Sequence, residues 1–134
     1  MECELCDAYR SDQHRIIMDN EHAFAMVIRE PILPYHSMVM PIRHVTELSR
    51  LTKEESYALH ELIDALRLRM DGRIENCSAI ALLNGSRHRT ERHIHYQVIP
   101  VTHGGRTIVS RFYEISERQH PEISELERMA VFLR

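Results

Sequence analysis

One long amphipathic helix among short apolar segments restricts this chain to a mixed α and β fold. Thr52 and Glu55 match the S/T-x-x-E capping box that opens a helix. Apolar residues then recur at helical spacing until Asp71-Gly72 ends the helix. These residues are Leu59, Leu62, Ile63, Leu66 and Met70. The length of 134 residues suits a single domain, residues 1–134, which can bury a core without a disulfide.

Short apolar segments on both sides of this helix predict β-strands. They cover residues 23–29, 36–41, 77–83, 93–101 and 107–113. A short helix is predicted within residues 3–10, and a C-terminal helix from about Pro121. Strands grouped around one long helix predict an α+β fold with a mainly antiparallel sheet of about five strands.

Composition argues against several classes of function. The net charge of -3 does not favour a nucleic-acid-binding surface. The longest apolar run, residues 23–28, is far shorter than the roughly 18 residues of a membrane span. Residues 1–6 have neither the basic nor the apolar region of an export signal. We therefore expect a cytoplasmic protein without a membrane partner, whose chemistry lies among its ten histidines and three cysteines.

The segment at residues 93–99 combines histidines with strand-like alternation. Alternation places His93, His95 and Gln97 on one face of a strand, with apolar residues on the other. The loop before it is basic and contains Arg87 and Arg89. An imidazole beside cationic side chains suits a phosphoester substrate. Spacing alone is equally compatible with a solvent-facing strand or with two imidazoles that bind one metal ion.

A second group of candidate residues is the C-x-x-C pair of Cys3 and Cys6. Two thiolates at this spacing can bind one zinc ion, which needs two further ligands. Redox motifs of this form normally follow a strand, and two residues leave no room for one. Two ordinary reduced cysteines remain an alternative. Cys77 lies in an apolar stretch and is predicted to be a core residue.

Several motifs together resemble the histidine triad (HIT) superfamily. His-Ile-His-Tyr-Gln-Val-Ile-Pro at residues 93–100 resembles its signature. Residues 34–44, Pro-Tyr-His-Ser-Met-Val-Met-Pro-Ile-Arg-His, are similar to its P-x-H-x-x-V-x-P-x-x-H segment. Gln97 stands where most members have the third histidine. This substitution resembles the branch that contains galactose-1-phosphate uridylyltransferase and diadenosine tetraphosphate phosphorylases.

The resemblance implies a role for each group of residues. It implies a closed structural Zn²⁺ site formed by Cys3, Cys6, His44 and His93. It implies a catalytic pair, in which His95 is the nucleophile and Gln97 contacts the substrate phosphate. The implied phosphate-binding residues lie in the preceding loop and are Asn84, Arg87, Arg89 and Thr90. His36 lies in the matched segment and could approach the site, although packing is its expected role.

The function that the resemblance implies is cleavage of a nucleotide phosphoanhydride bond through a nucleotidyl-histidine. Dinucleoside polyphosphates are the expected substrates, and a homodimer is the expected assembly. The alternatives are a nucleotidyltransferase or phosphorylase, and a nucleotide-binding protein without turnover. The position of the family's ribose-binding residue is occupied by Ile28, which cannot hydrogen-bond a ribose, so the identity of the nucleoside stays open.

Overall fold

The fold is a single antiparallel sheet with helices on both faces, described by a computed structural model for residues 3–82, 93–102 and 119–134. The strand order in these ranges is β1-β2-β3-β5-β4. The strands are β1 (Ile16–Asp19), β2 (Ala23–Val27), β3 (Ser37–Pro41), β4 (Cys77–Leu82) and β5 (Tyr96–Val101). The helices are α1 (Glu4–Ser11), α2 (Lys53–Arg73) and α3 (Ile123–Leu133), with 3-10 turns at Gln13–Arg15 and Leu48–Arg50. The predicted α+β class is confirmed.

Helix α2 begins at the capping box that the sequence predicted. The Thr52 hydroxyl accepts a hydrogen bond from the Glu55 N–H at 3.0 Å, and the Glu55 carboxylate accepts one from the Thr52 N–H at 2.9 Å. The helix buries Leu59, Leu66 and Met70 in the core. None of the helices in the parts of the chain described here is both long and apolar enough to cross a lipid bilayer.

Strands β2 and β3 form the buried centre of the sheet, and every residue in both is buried. Alternate side chains of β2 enter different core clusters, as strand geometry requires. Ala23, Ala25 and Val27 belong to the cluster that contains the residues of α2 and α3. Phe24 and Met26 belong to the cluster that contains the residues of α1. A sheet covered on both faces therefore explains why these strands are apolar without alternation.

The sheet differs from the prediction at two strands. Strand β1 lies in a segment that the sequence pattern did not identify as a strand, and its pairing with β2 has an irregularity between Ile16 and Met18. Strand β5 begins at Tyr96 and not at residue 93, so the predicted start was wrong. The predicted strand at 107–113 lies outside the described residues.

The late start of β5 has a physical cause in the loop that follows β3. The Ile94 N–H donates to the Val45 carbonyl at 2.7 Å, and His93 Nε2 donates to the Pro41 carbonyl at 2.7 Å. These bonds bind residue 93 to the last residue of β3 and residue 94 to the loop that follows, so the sheet ladder with β3 begins only at Tyr96, opposite Val39. The alternating faces predicted from residue 93 therefore do not exist before residue 96.

An ion pair connects the same loop to the start of α2. Arg43 donates to both carboxylate oxygens of Glu55, at 2.9 Å from Nε and 2.8 Å from Nη2. Arg43 also donates to the Arg50 carbonyl at 3.0 Å. The hydrogen bond from Arg43, supported by the Thr52 N–H, lowers the pKa of Glu55 to about 2. Glu55 thus joins the helix cap to the loop that carries His44.

We expect Glu55→Gln to lower the free energy of unfolding by about 1–2 kcal/mol at pH 7, because it weakens two charge-assisted hydrogen bonds. The folded-state pKa of Glu55 lies below its ordinary value of 4.5. Its contribution is therefore complete above pH 4.5 and is lost as the pH falls toward 2. Urea unfolding of both proteins across this range measures the difference.

The matched control is Glu54→Gln, which changes an exposed carboxylate on the same helical turn. It should alter stability by less than about 0.5 kcal/mol. A difference between wild type and Glu55→Gln that stays constant from pH 7 to pH 2.5 would contradict the role given to this ion pair.

Candidate functional site

Four side chains from three separate parts of the sequence converge at the N-terminal end of α1. They are Cys3 and Cys6, His44 in the loop after β3, and His93 immediately before β5. Their sulfur and nitrogen atoms all lie within 4.8 Å of one another. His93 is completely buried, and the other three are buried or partly buried. The fold therefore forms a group of four ligands that could hold a metal ion.

The orientation of the His93 ring suits a ligand. A carbonyl oxygen can only accept, so the contact with Pro41 places the His93 proton on Nε2. The lone pair is then on Nδ1, which lies 3.5 Å from Cys3 Sγ and 3.4 Å from Cys6 Sγ. A metal-binding imidazole commonly donates its other N–H to a carbonyl in this way.

The two thiols belong to the first turn of α1. Cys3 is the N-cap residue, and its sulfur accepts from the Cys6 N–H at 3.4 Å. Cys6 Sγ lies 3.5 Å from His44 Nδ1. Burial, with a smaller contribution from Cys3, raises the pKa of Cys6 to about 11. Burial also lowers the pKa of His93 to about 4. Protein groups alone therefore favour a neutral thiol and a neutral imidazole here, and a cation is what would make Cys6 a thiolate.

The spacing of these atoms fits a tetrahedral metal ion. Zinc–sulfur bonds near 2.3 Å and zinc–nitrogen bonds near 2.0–2.1 Å give a tetrahedron with edges of roughly 3.3–3.8 Å. The three sulfur–nitrogen distances given above, 3.4 to 3.5 Å, fall in this range. The donor set of two sulfurs and two nitrogens is also one that zinc prefers. Four protein ligands would leave no open position for a substrate.

His95 follows His93 by two residues and lies partly exposed. Its Nδ1 donates to the backbone carbonyl of His93 at 2.8 Å. The neutral ring therefore carries its proton on Nδ1 and its lone pair on Nε2. The carbonyl that orients this ring belongs to the residue whose side chain joins the four-ligand group.

Gln97 is buried on β5, where it pairs with Met38 of β3 and Ala81 of β4. Cross-strand partners share a face, so Gln97 lies on the face of Met38, which belongs to the α1 cluster. Its Oε1 lies 2.6 Å from Nε2 of His36, which is also completely buried. The sequence prediction left open that His36 approaches the site, favoured a packing role and did not identify this contact. Its position in the P-x-H segment was the available signal.

The structure brings some of the predicted site residues together and leaves others undescribed. Cys3, Cys6, His44 and His93 form one group. His95 and Gln97 follow His93 closely in the chain. The predicted phosphate-binding residues Asn84, Arg87, Arg89 and Thr90 lie outside the described residues. The prediction that His93 and His95 share one strand face with Gln97 was wrong, because both histidines precede β5 and the Pro41 carbonyl holds the His93 ring next to the thiols.

Ile28, at the predicted ribose position, offers only an apolar side chain. It is partly buried and packs against the cluster that contains Phe24 and Met26. Its N–H donates to the His36 carbonyl at 3.0 Å. Its neighbour Glu30 is partly exposed, and its carboxylate lies 3.5 Å from Nδ1 of His120.

Residues 10–104 match the model of the HIT domain. The chain belongs to the HIT domain family. The match covers the whole sheet and α2, together with His44, His93, His95 and Gln97. Both cysteines of the four-ligand group, most of α1 and all of α3 lie outside the matched residues. No curated protein matches the sequence at a significant level.

Solved structures share the fold of this HIT protein at low sequence identity. A Zn-bound histidine triad family protein from Mycobacterium smegmatis has a TM-score of 0.76 and 22% identity, with 99% of this chain and 94% of that chain covered. The Plasmodium falciparum diadenosine triphosphate hydrolase, solved with cyclomarin A, has a TM-score of 0.74 and 17% identity, covering 91% and 75%. The C. elegans NitFhit protein has a TM-score of 0.74 and 20% identity over 90% of this chain, which spans only 27% of that protein.

Proposed function

We propose that this HIT domain is a nucleotide hydrolase that cleaves phosphoanhydride bonds of dinucleoside polyphosphates, with His95 as the nucleophile. The observation that carries the proposal is the hydrogen bond from His95 Nδ1 to the His93 carbonyl at 2.8 Å. This bond gives Nε2 the lone pair that attack on phosphorus requires. The diadenosine triphosphate hydrolase among the structural neighbours supports the same reaction class.

The reaction proceeds in two displacements. The Nε2 lone pair of His95 attacks the α-phosphorus, a P–N bond forms, and the P–O bond to the departing nucleotide breaks. The His93 carbonyl accepts a hydrogen bond from the Nδ1–H of His95 throughout and stabilises the positive charge that develops on the ring. Water then attacks the same phosphorus and loses a proton to solvent, the P–N bond breaks, and a nucleoside monophosphate is released. His95 returns to its neutral form.

Gln97 determines which leaving groups this route tolerates. Its amide can donate a hydrogen bond to a phosphoryl oxygen, but it cannot transfer a proton near neutral pH. A polyphosphate leaves as a stable anion and needs no proton from the protein. The amine of a phosphoramidate does need a proton from the protein, because the deprotonated nitrogen anion is far too basic to depart. Gln97 therefore favours polyphosphate substrates.

We propose that Cys3, Cys6, His44 and His93 hold a structural zinc ion. When bound, zinc supplies a charge that stabilises the two thiolates and cross-links the N-terminus to the segment before β5. His93 donates to Pro41 and orients its Nδ1, while Cys3 also caps α1. The Zn-bound state of the M. smegmatis protein supports this assignment. The site needs reduced cysteines, which suits the cytoplasmic location predicted from the sequence. The homodimer stays a prediction.

A zinc site formed by these residues predicts different results for Cys6→Ser and Cys77→Ser. Protein purified without chelator should contain about one zinc per chain by elemental analysis. Cys6→Ser should lose most of the metal and several degrees of thermal stability, because metal-binding energy contributes to folding. Cys77→Ser changes an exposed cysteine outside the four-ligand group. This variant should keep its zinc and its thermal stability. Wild type that contains no zinc would refute the assignment.

The covalent route predicts a nucleotidyl adduct on His95. Intact-protein mass spectrometry, after rapid mixing with diadenosine triphosphate and diadenosine tetraphosphate, should detect an adenylyl mass on wild type. His95→Ala should show no adduct and a loss of turnover of about 10⁴-fold or more, because the nucleophile is absent. His60→Ala changes an exposed histidine on α2 and should leave turnover unchanged. Equal turnover by wild type and His95→Ala would contradict the mechanism.

The same experiment separates the alternative functions. Added inorganic phosphate that converts the product from nucleoside monophosphate to diphosphate would identify a phosphorylase. Nucleotide binding without any consumption of substrate would identify a binding protein.

Leaving-group preference gives a test of Gln97. Wild type should hydrolyse diadenosine tetraphosphate faster than an adenosine phosphoramidate. Gln97→His should reduce this preference by about tenfold or more, because an imidazole can donate a proton to the departing amine. Steady-state kcat/KM for both substrates measures the ratio. Equal or faster hydrolysis of the phosphoramidate by wild type would disprove the role assigned to Gln97.

A further inference from the structure

The protonation of the His36 ring follows from its contacts with Ile32 and Gln97. The Ile32 N–H lies 3.1 Å from His36 Nδ1, and a backbone N–H can only donate. Nδ1 must therefore hold a lone pair, and the proton of the neutral ring is on Nε2. Nε2 lies 2.6 Å from Gln97 Oε1 and donates to it. A backbone group thus decides which ring nitrogen of His36 faces Gln97.

This contact also fixes the orientation of the Gln97 amide. The carbonyl oxygen accepts from His36, so the NH₂ group lies on the other edge of the amide. A rotation by 180° would place that NH₂ group against the Nε2 proton, with two donors facing each other. His36 is completely buried and Gln97 is 3% exposed, so water cannot relieve such a conflict. The amide therefore has one stable orientation.

We propose that His36 is a positioning residue for phosphate recognition, which holds the Gln97 amide so that it presents N–H donors to the phosphoryl group. The inference rests on the proposed function, in which Gln97 contacts the substrate phosphate. A phosphoryl oxygen is anionic and accepts hydrogen bonds only. An amide in the opposite orientation would present its carbonyl oxygen to that anion, which is repulsive.

Helix α3 supports the backbone that carries His36. Tyr35, the preceding residue, has φ of 70°, in the left-handed region that non-glycine residues rarely adopt. It occupies a turn closed by the hydrogen bond from the His36 N–H to the Leu33 carbonyl at 3.1 Å. Two residues of α3 hold this turn: Phe132, whose ring lies 4.9 Å from that of Tyr35, and Met129, whose sulfur accepts from the Tyr35 N–H at 3.2 Å.

The support from α3 comes from outside the part of the chain that matches the HIT domain. The HIT domain match ends at residue 104, and α3 begins at Ile123. A turn with a non-glycine residue in the left-handed region is strained and persists only where its surroundings hold it. The C-terminal helix thus connects, through Tyr35 and His36, to the amide of Gln97.

Two substitutions of His36 separate positioning from packing. His36→Gln places an amide N–H near the former Nε2 position and can still donate to Gln97. His36→Asn retains an acceptor for the Ile32 N–H, but its shorter side chain cannot reach Gln97. We expect His36→Asn to lower kcat/KM for diadenosine tetraphosphate by about 10-fold to 100-fold, and His36→Gln to lose less than about fivefold. His22→Asn changes a histidine outside the site and should leave kcat/KM unchanged.

A double-mutant cycle tests whether His36 acts through Gln97. In a Gln97→Met background, His36→Asn should change kcat/KM by less than about threefold, because no amide remains to be oriented. An equal loss from His36→Asn in both backgrounds would show a general structural role and overturn the inference. Equal losses of kcat/KM in His36→Gln and His36→Asn would also overturn the inference. Circular dichroism and thermal unfolding verify that each variant folds.

A spectroscopic measurement tests the geometry without turnover. Long-range ¹H–¹⁵N correlation spectra of the wild-type protein should show the His36 proton on Nε2. A proton on Nδ1 would overturn the inference whatever the activity. Wild type that hydrolyses no dinucleoside polyphosphate would instead refute the proposed function. Active wild type with an unaffected His36→Asn variant would refute only the role of His36.

Discussion

The hydrogen bond from His93 Nε2 to the Pro41 carbonyl, 2.7 Å long, is the contact on which the site depends. It places the His93 proton on Nε2, which turns Nδ1 toward the two thiols. It also holds residue 93 outside the sheet, so that its carbonyl accepts from His95 Nδ1. One backbone contact therefore orients a proposed metal ligand and the proposed nucleophile together. A change at the end of β3 should affect both.

The local parts of the fold were predictable from the sequence, since their causes lie within a few residues. The capping box at Thr52 and Glu55 forms as its spacing indicates, because both hydrogen bonds join residues three apart. The apolar segment that begins at Ala23 became a buried strand, since a sheet covered on both faces needs apolar residues on both sides. The C-x-x-C spacing similarly predicted that Cys3 and Cys6 would lie together.

The remaining features depend on partners far away in the chain. Strand β5 starts at Tyr96 because Ile94 bonds to Val45, a partner 49 residues earlier that no local pattern reveals. The resemblance to HIT proteins supplied His44 and His93 as candidate ligands, which spacing alone could not do. The contact of His36 with Gln97 was not predicted for the same reason, since it spans 61 residues. Strand alternation describes faces only where a ladder exists.

Three histidines of the site share one physical principle. In each ring, one nitrogen faces a backbone group that can only accept or only donate: the Pro41 carbonyl for His93, the His93 carbonyl for His95, and the Ile32 N–H for His36. An unmatched proton is costly where water is excluded, so the backbone selects a single tautomer for each ring. The opposite nitrogen therefore carries a lone pair in His93 and His95, and a proton in His36. Because the backbone is held by the sheet and its loops, these assignments are in place before any metal or substrate binds, and the three histidine rings do not have to exchange protons when it does.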